Sequence, residues 1–552
     1  MGGRKVTGIE DTPCRLDALV IGAGFAGLYM LHRLRGQGMS VRVLEAADGV
    51  GGTWYWNRYP GVRCDVESID YSYSFDAELE QEWKWSERYA TQPEILRYIE
   101  HVAERFDLLR DVELGTRVSS ARWDEGDRRW RVETEAGARF ETTYLITAVG
   151  CLSAVNTPAF PGLETFAGET YTTARWPHEG VDFTNRRVAV IGTGSTGIQA
   201  IPEIAKDAAH LYAFQRSPNF SVPARNRPLD PEFVETIKAD YRARRQAARE
   251  AGWGVPSDRP LRPLEDFNAR ERVAVCEEGW RKGGAPGMLR AFADTMTNPE
   301  ANRVVAEFVR AKIRNTVRDP AVAEKLIPTD HPLGAKRLCV DTDYYETYNR
   351  PNVTLVDVST SPIEQITESG IRTREGFYEV DAIVFALGFD AITGALLALD
   401  IGGVGGETLA EHWKDGPRSY LGLAVAGFPN MLTVTGPGSP SVLGNVIVSI
   451  EQHVEWISDC LAYLRRHGLD RIEAQPTAEK DWVAHVADVA SGTLFVSAKS
   501  WFMGANIAGK PRAFMPYAGG VPTYRKICDE VASRGYDGFT LGRADALAHS
   551  AA

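Results

Sequence analysis

An α/β fold with two Rossmann-like dinucleotide-binding domains and a helical insertion is what these 552 residues predict. Three observations carry it. A glycine-rich turn near residue 22 joins an apolar strand to a helix, a second such turn recurs near residue 192, and residues 223–332 read as helix throughout. A chain of this length exceeds a single core, so several domains are expected.

The first unit begins with Ala18–Ile21, a short apolar run of strand type. Gly22, Gly24 and Gly27 follow at G-x-G-x-x-G spacing, then a helical pattern, then a second strand ending at Glu45. The first glycine permits the tight turn, the second lets a pyrophosphate approach the backbone, and the third lets helix pack closely on strand. The helix N-terminus faces the phosphates, and Glu45 stands where an acid accepts hydrogen bonds from ribose hydroxyls. A lone glycine triplet is a weak signal. Strand, turn, helix, strand and acid in order, within about 30 residues, make a complete unit.

In the second unit Gly192, Gly194 and Gly197 repeat the spacing after the strand Val188–Ile191. The next strand ends in Gln215, Arg216 and Ser217 instead of an acid. A carboxylate there would repel a ribose 2′-phosphate, whereas Arg216 would pair with it; the alternative is that Arg216 is a solvated surface charge. The first unit therefore suits FAD or NAD, and the second NADP. Two such sites read as a flavoprotein that takes hydride from NADPH. Disulfide reductases share this layout but need a redox cysteine pair early in the flavin domain. Cys14 and Cys64 stand far apart, which leaves the oxygen-using flavoproteins.

The runs Tyr144–Gly150 and Ala382–Asp390 read as buried strands at crossings between domains. The expected organisation is an FAD-binding domain over 15–150 and 386–542, an NADP-binding domain over 151–222 and 333–385, a helical insertion over 223–332, and flexible termini over 1–14 and 543–552. Within the insertion, Asp230 and Pro231 start a helix whose Phe233, Ile237 and Tyr241 share a face. Asn298 and Pro299 start another, with Val304, Phe308 and Ala311 along its face. The arginine-rich side of the first is expected to be solvated.

Bulk composition removes other classes. With 44% hydrophobic and 25% charged residues the chain reads as an ordinary globular protein. A net charge of −12 disfavours nucleic acid as a partner. Seven scattered cysteines without a CxxC pair argue against a disulfide framework or a metal site and suit a reducing cytosol. No leader-like segment and no apolar run of about 18 residues is present. The reading is a soluble cytoplasmic protein with no membrane partner and no metal.

Two further segments carry a family resemblance. GGTWYWNRYPGVRCD (Gly51–Asp65) fits the pattern A/G-G-x-W-x4-F/Y-P-G-x3-D in full. FAGETYTTARWP (Phe166–Pro177) fits F-x-G-x3-H-x3-W-P except that Thr172 replaces the histidine. With the two glycine turns, these resemble the type I Baeyer–Villiger monooxygenases over about residues 15–542, closest to the phenylacetone and steroid monooxygenase group.

The resemblance implies both chemistry and residues. In such enzymes NADPH reduces FAD, O2 adds at the flavin C4a, and the resulting peroxide must stay anionic to attack a ketone, giving an ester or lactone. A nearby cation stabilises that anion and then the oxyanion of the adduct. By resemblance the cation is Arg337, oriented by Asp65. A helix cap is the plainer reading of Asp65, and a surface pair with its neighbouring lysine that of Arg337. Lys336 joins Arg216 and Ser217 at the 2′-phosphate, Trp54 and Asp65 lie in the flavin-contacting segment, with structural packing explaining Trp54 almost as well, and Trp501 sits on a loop that folds over the nicotinamide and closes the substrate cavity. That cavity should include the loop 439–445 with Val442 and Leu443. Its apolar lining favours a bulky hydrophobic ketone, aryl, cyclic or steroid-like. The family also suggests a monomer.

Thr172 opens alternatives. A threonine hydroxyl either replaces a hinge hydrogen bond at modest loss, or the enzyme couples poorly and becomes an NADPH oxidase. The nearest rival function is oxygenation of sulfur or nitrogen, which needs no arginine to stabilise an anion. His178, out of register, is expected on the surface.

Overall fold

The computed structural model describes residues 14–257 and 261–543. Six strands open the first sheet: β1 (Cys14–Ile21), β2 (Val41–Leu44), β3 (Val112–Glu113), β4 (Val118–Asp124), β5 (Arg129–Thr134) and β6 (Arg139–Thr147). Asp400–Gly402 and Met431–Thr433 complete it, in the order 400–402, β4, β5, β6, β1, β2, β3, with 431–433 beside β6. β6 changes neighbour along its length, antiparallel to β5 at Phe140–Thr142 and parallel to 431–433 from Leu145. β1 lies between β6 and β2, parallel to both. Covered on both faces, it is buried at every residue from Ala18 on, which is why its sequence does not alternate.

The second sheet uses β7 (Glu169–Thr172), β8 (Arg187–Ile191) and β9 (His210–Gln215) with Val353–Asp357 and Ala382–Phe385. It is parallel throughout, in the order 353–357, β9, β8, 382–385, β7. Its strands occupy the chain between β6 and 400–402, so the backbone leaves the first sheet, builds the second, and returns. Each central strand turns directly into a helix, β1 into α1 (Phe25–Gly36) and β8 into α2 (Ser195–Asp207).

A parallel pair, Ser221–Pro223 with Cys339–Asp341, forms a neck. Beyond it the described chain is helical, including α3 (Tyr241–Glu250) and α4 (Pro299–Thr316). Asp230 and Asn298 cap their helices as the residue types predict, accepting from the amides of Glu232 and of Glu300 and Ala301.

Four details differ from the sequence reading. The helix from Pro231 does not continue through Tyr241: it ends at Ala239, and Asp240 caps α3 through the Ala243 amide. Phe233 is left exposed while Tyr241 is buried. On α4 the buried stripe is Ala301, Val305, Val309 and Ile313, an i, i+4 row one position round from Val304 and Phe308; Ala311 faces solvent. The arginine-rich side of α3 is not simply solvated. Arg244 clamps Asp70 (2.7 and 2.6 Å) and Arg245 pairs with Glu80 at 2.7 Å, tying the insertion to the segment after Asp65. Finally, Cys14 belongs to β1, and Arg543 is held through its carbonyl by Arg128. The rest of the termini expected to be flexible, 1–13 and 544–552, lies outside the described residues.

Candidate active site

Both glycine turns have the steric signature of a cradle. A Cβ at Gly22 would stand 2.6 Å from the Ala148 carbonyl oxygen, and one at Gly27 only 1.8 Å from that of Gly22. In the second turn a Cβ at Gly192 would meet the Ala386 oxygen at 2.4 Å and one at Gly197 the Gly192 oxygen at 2.0 Å, while Gly194 faces open space. The first and third glycines thus answer to protein packing and the middle one of the second turn to room for a ligand. The N-caps of α1 and α2 are Gly24 and Gly194, neither helix has a side-chain cap, and neither carries an acid in its first turn. Their leading amides are free to receive an anion.

Glu45, at the end of β2, is buried and accepts from the amides of Ala23 (2.6 Å) and Ala47 (2.9 Å). Burial raises its pKa, an effect that these amides oppose. It therefore braces the first turn. Trp54 is also buried, its Nε1 donating to the Tyr71 hydroxyl at 3.2 Å. Packing accounts for it fully.

Asp65 does not cap a helix. Arg337 donates to it through Nε (2.9 Å) and Nη2 (2.7 Å), and its Nη1 donates to the Val442 carbonyl at 2.8 Å. Both side chains are largely enclosed, 29% and 19% exposed. The Asp65 carboxylate, outweighing burial, raises the Arg337 pKa further, so the guanidinium stays charged at any working pH. Three donor positions are thus fixed by two partners from distant parts of the chain.

The Val442 that anchors Arg337 belongs to an apolar cluster with Cys151, Met296, Ile392, Phe495, Phe502 and Met515, against which Leu443, Trp253 and Trp501 pack. Trp501 touches Phe502 with ring centroids 4.3 Å apart. The three residues read as substrate-lining, Val442, Leu443 and Trp501, therefore belong to one apolar cluster, which Val442 joins to Arg337. Sequence reasoning missed Cys151, Met296 and Phe495, which come from three separate segments and carry no motif. It also missed Lys510, whose ammonium pairs with Asp390 and ties the chain after Trp501 to the crossing between the sheets.

The segment Gly51–Asp65, the first fingerprint, does more than approach one cradle. Gly61, at φ 80°, lies so close to α2 that a Cβ would sit 2.4 Å from the Gln199 carbonyl. Tyr59 donates to the Gln199 side chain at 2.8 Å, and that side chain donates to the Arg63 carbonyl at 3.1 Å. One segment thus docks on the helix of the second unit and ends at Asp65. Arg216 and Ser217 follow β9 and are exposed, and Lys336 reaches Asp330 at 3.3 Å. Thr172 closes β7 opposite Phe385, with Trp176 buried behind it. His178 is exposed, but its ring meets the edge of Tyr55 in the first fingerprint at 5.2 Å.

Residues 19–250 match the pyridine nucleotide-disulphide oxidoreductase family. A Baeyer–Villiger monooxygenase of Pseudooceanicola batsensis is 43% identical, covering 94% of this chain and 95% of its own. The chain belongs to the Baeyer–Villiger monooxygenases. A solved oxidized steroid monooxygenase bound to NADP has 53% identity and a TM-score of 0.92 over 96% of this chain and all of its own. A phenazine N-monooxygenase of Lysobacter antibioticus is 43% identical over 97% and 98%. Baeyer–Villiger monooxygenases use FAD and NADPH, and both cradles here have the uncapped helix ends that suit such dinucleotides. Among the described residues no helix is long and apolar enough to cross a membrane, and no cluster of His, Cys, Asp and Glu could hold a metal ion.

Proposed function

We propose that this chain binds FAD at Gly22, Gly24, Gly27 and Glu45 and NADPH at Gly192, Gly194 and Gly197. With O2 it converts a bulky hydrophobic ketone, aryl, cyclic or steroid-like, into an ester or lactone. The observation that carries the reading is the Arg337 guanidinium, fixed by Asp65 and the Val442 carbonyl at the edge of an apolar cluster. Bound FAD, once reduced by NADPH, supplies the activated oxygen.

Everything else falls to the chain's own side chains. Arg337 offers a permanent positive charge to the negative charge that develops on the ketone oxygen. Because Asp65 holds its fork in advance, little reorganisation is needed when that charge appears. Trp501, Leu443 and Phe495 exclude water, which strengthens the same interaction. Arg216, Ser217 and Lys336 take the 2′-phosphate, and Trp54 packs under the flavin-facing loop. We place the enzyme in the cytoplasm as a monomer.

The test measures oxygen-dependent NADPH consumption with aryl and steroid ketones, quantifying ester and hydrogen peroxide in the same samples. Arg337→Ala should cut ester formation by about a hundredfold or more, the worth of one oriented charge donor, while NADPH is still consumed and peroxide released. Ester formation that survives this change would dismiss the mechanism.

The phenazine N-monooxygenase among the relatives supports a second reading, oxygenation of nitrogen or sulfur. It is tested in the same assay with an N-heterocycle and a sulfide. Product from these that persists in Arg337→Ala, with no ester from any ketone in the parent, would favour it.

A further inference from the structure

Lys336 is not a free cation. Its Nζ lies 3.3 Å from Asp330 Oδ2, and the other oxygen of that carboxylate lies 2.6 Å from His331 Nδ1. The His331 side chain is 1% exposed, its ring edge packs against Phe220 at 5.4 Å, and its Nε2 is buried with no partner. A proton on that nitrogen would be buried unpaired, so the ring stays neutral and donates from Nδ1 to Asp330. Burial lowers the His331 pKa accordingly. Burial also pushes the Asp330 carboxyl up, but His331 and Lys336 together hold it below its ordinary value. Asp330 is thus an oriented anion on one side of Lys336.

The residue just before this pair lines a cleft at the end of β9, where Arg216 stands. Thr329, next to Asp330, lines an open cleft of about 440 Å³ together with Arg216, Pro218, Lys325 and Glu324. Arg310 of α4 is the other cation near His331, but it is engaged by Glu307 at 2.6 Å and by the Pro328 carbonyl at 2.9 Å. On the reading that Arg216 and Lys336 take the 2′-phosphate, the phosphate meets a lysine that already has a partner and a carboxylate of its own sign.

We propose that Asp330, held in place by His331, sets the coenzyme selectivity of this chain by competing with the 2′-phosphate of NADPH for Lys336. This deepens the reading of Lys336 as a phosphate contact and rests on it. NADH, with no 2′-phosphate, is indifferent to the competition. The chain consequently discriminates less between the two coenzymes than one with an unpaired lysine would.

The test uses the FAD-loaded enzyme. Dissociation constants for NADP+ and NAD+ are measured by calorimetry, and kcat/KM for NADPH and NADH by anaerobic flavin reduction. Asp330→Asn should tighten NADP+ and raise the NADPH-to-NADH ratio by about three- to fivefold, the scale of one partly exposed charge pair, leaving NAD+ unchanged. The gain should shrink as salt rises. His331→Phe, which frees the carboxylate, should move the ratio the same way by less. Equal changes for both coenzymes, or a ratio that falls in Asp330→Asn, would overturn the proposal. Lys336→Ala separates the premises: it should lower the ratio severalfold. If it does while Asp330→Asn changes nothing, only Asp330 is dismissed; if it does not, Lys336 is no phosphate contact and the proposal falls with it.

Discussion

Thr172 shows how a single residue type acquires meaning from its place. It closes the edge strand β7 opposite Phe385, and the next residue, Ala386, is the one whose carbonyl limits Gly192 to glycine. The segment is packed by fit: a Cβ on Gly168 would strike the Asp381 oxygen at 2.4 Å and the Phe166 ring at 2.6 Å, and the rings of Tyr171, Trp176 and Phe183 pack against one another in tilted and edge-on contacts. A histidine at 172 would add reach and a second ring nitrogen at the end of the strand, next to the NADP cradle. Thr172→Ala removes one hydroxyl and Thr172→His restores the family residue. Each should change the NADPH KM by no more than about tenfold, the worth of one hydrogen bond, and leave ester per NADPH near the parent value. A large rise in ester yield for Thr172→His alone would mean that the parent is uncoupled.

At the scale of elements, the neck between the second sheet and the helical insertion stores a titration. Asp341 is buried, accepts from the Ser221 hydroxyl across the neck, and accepts the Tyr344 amide at 3.2 Å. Burial pushes its pKa up to about 6. A carboxyl raised in the folded state stabilises the fold while it is protonated. That contribution is complete below about pH 4 and is lost as pH rises through about 6. Asp341→Asn keeps an acceptor without the charge, so its melting temperature should gain on the parent between pH 4 and 7 and converge with it, or fall below it, at pH 4. Thermal melts across that range decide this. Parallel curves at every pH would show that Asp341 does not titrate there.

On the scale of the molecule, buried charged contacts join the insertion to the first domain. Arg244 of the insertion clamps Asp70, whose side chain is 1% exposed, while the Asp70 carbonyl accepts from Asn445 at 2.7 Å. Asn445 in turn caps the helix Val446–Arg466 through the Ile447 amide, directly after the loop that carries Val442. Arg244→Ala would leave Asp70 charged and buried, costing about 3–5 kcal/mol. Because the strain falls on Asn445, the KM for ketone should also rise while NADPH binding is kept. Asp70→Asn in the same background should recover much of the stability.

The sequence determined what is local. Each cradle is written in about 30 contiguous residues because glycine spacing, strand, helix and the terminal charge are neighbours in the chain. The caps at Asp230 and Asn298 are short-range for the same reason. Where local pattern was ambiguous the tertiary structure decided: the exposed Phe233 and the rotated stripe of α4 follow from what each helix packs against, which periodicity alone leaves open to within one position. The site itself is the most distant construction. Arg337 and Asp65 were named through a family pattern, but their bidentate contact, the Val442 carbonyl that holds the third nitrogen, and the apolar cluster that joins Val442 to Cys151, Met296 and Phe495 all depend on segments far apart in the chain. No motif in the sequence marks Asp330. Only folding, by burying His331 on one side of it and setting Lys336 on the other, gave that carboxylate a partner to compete for.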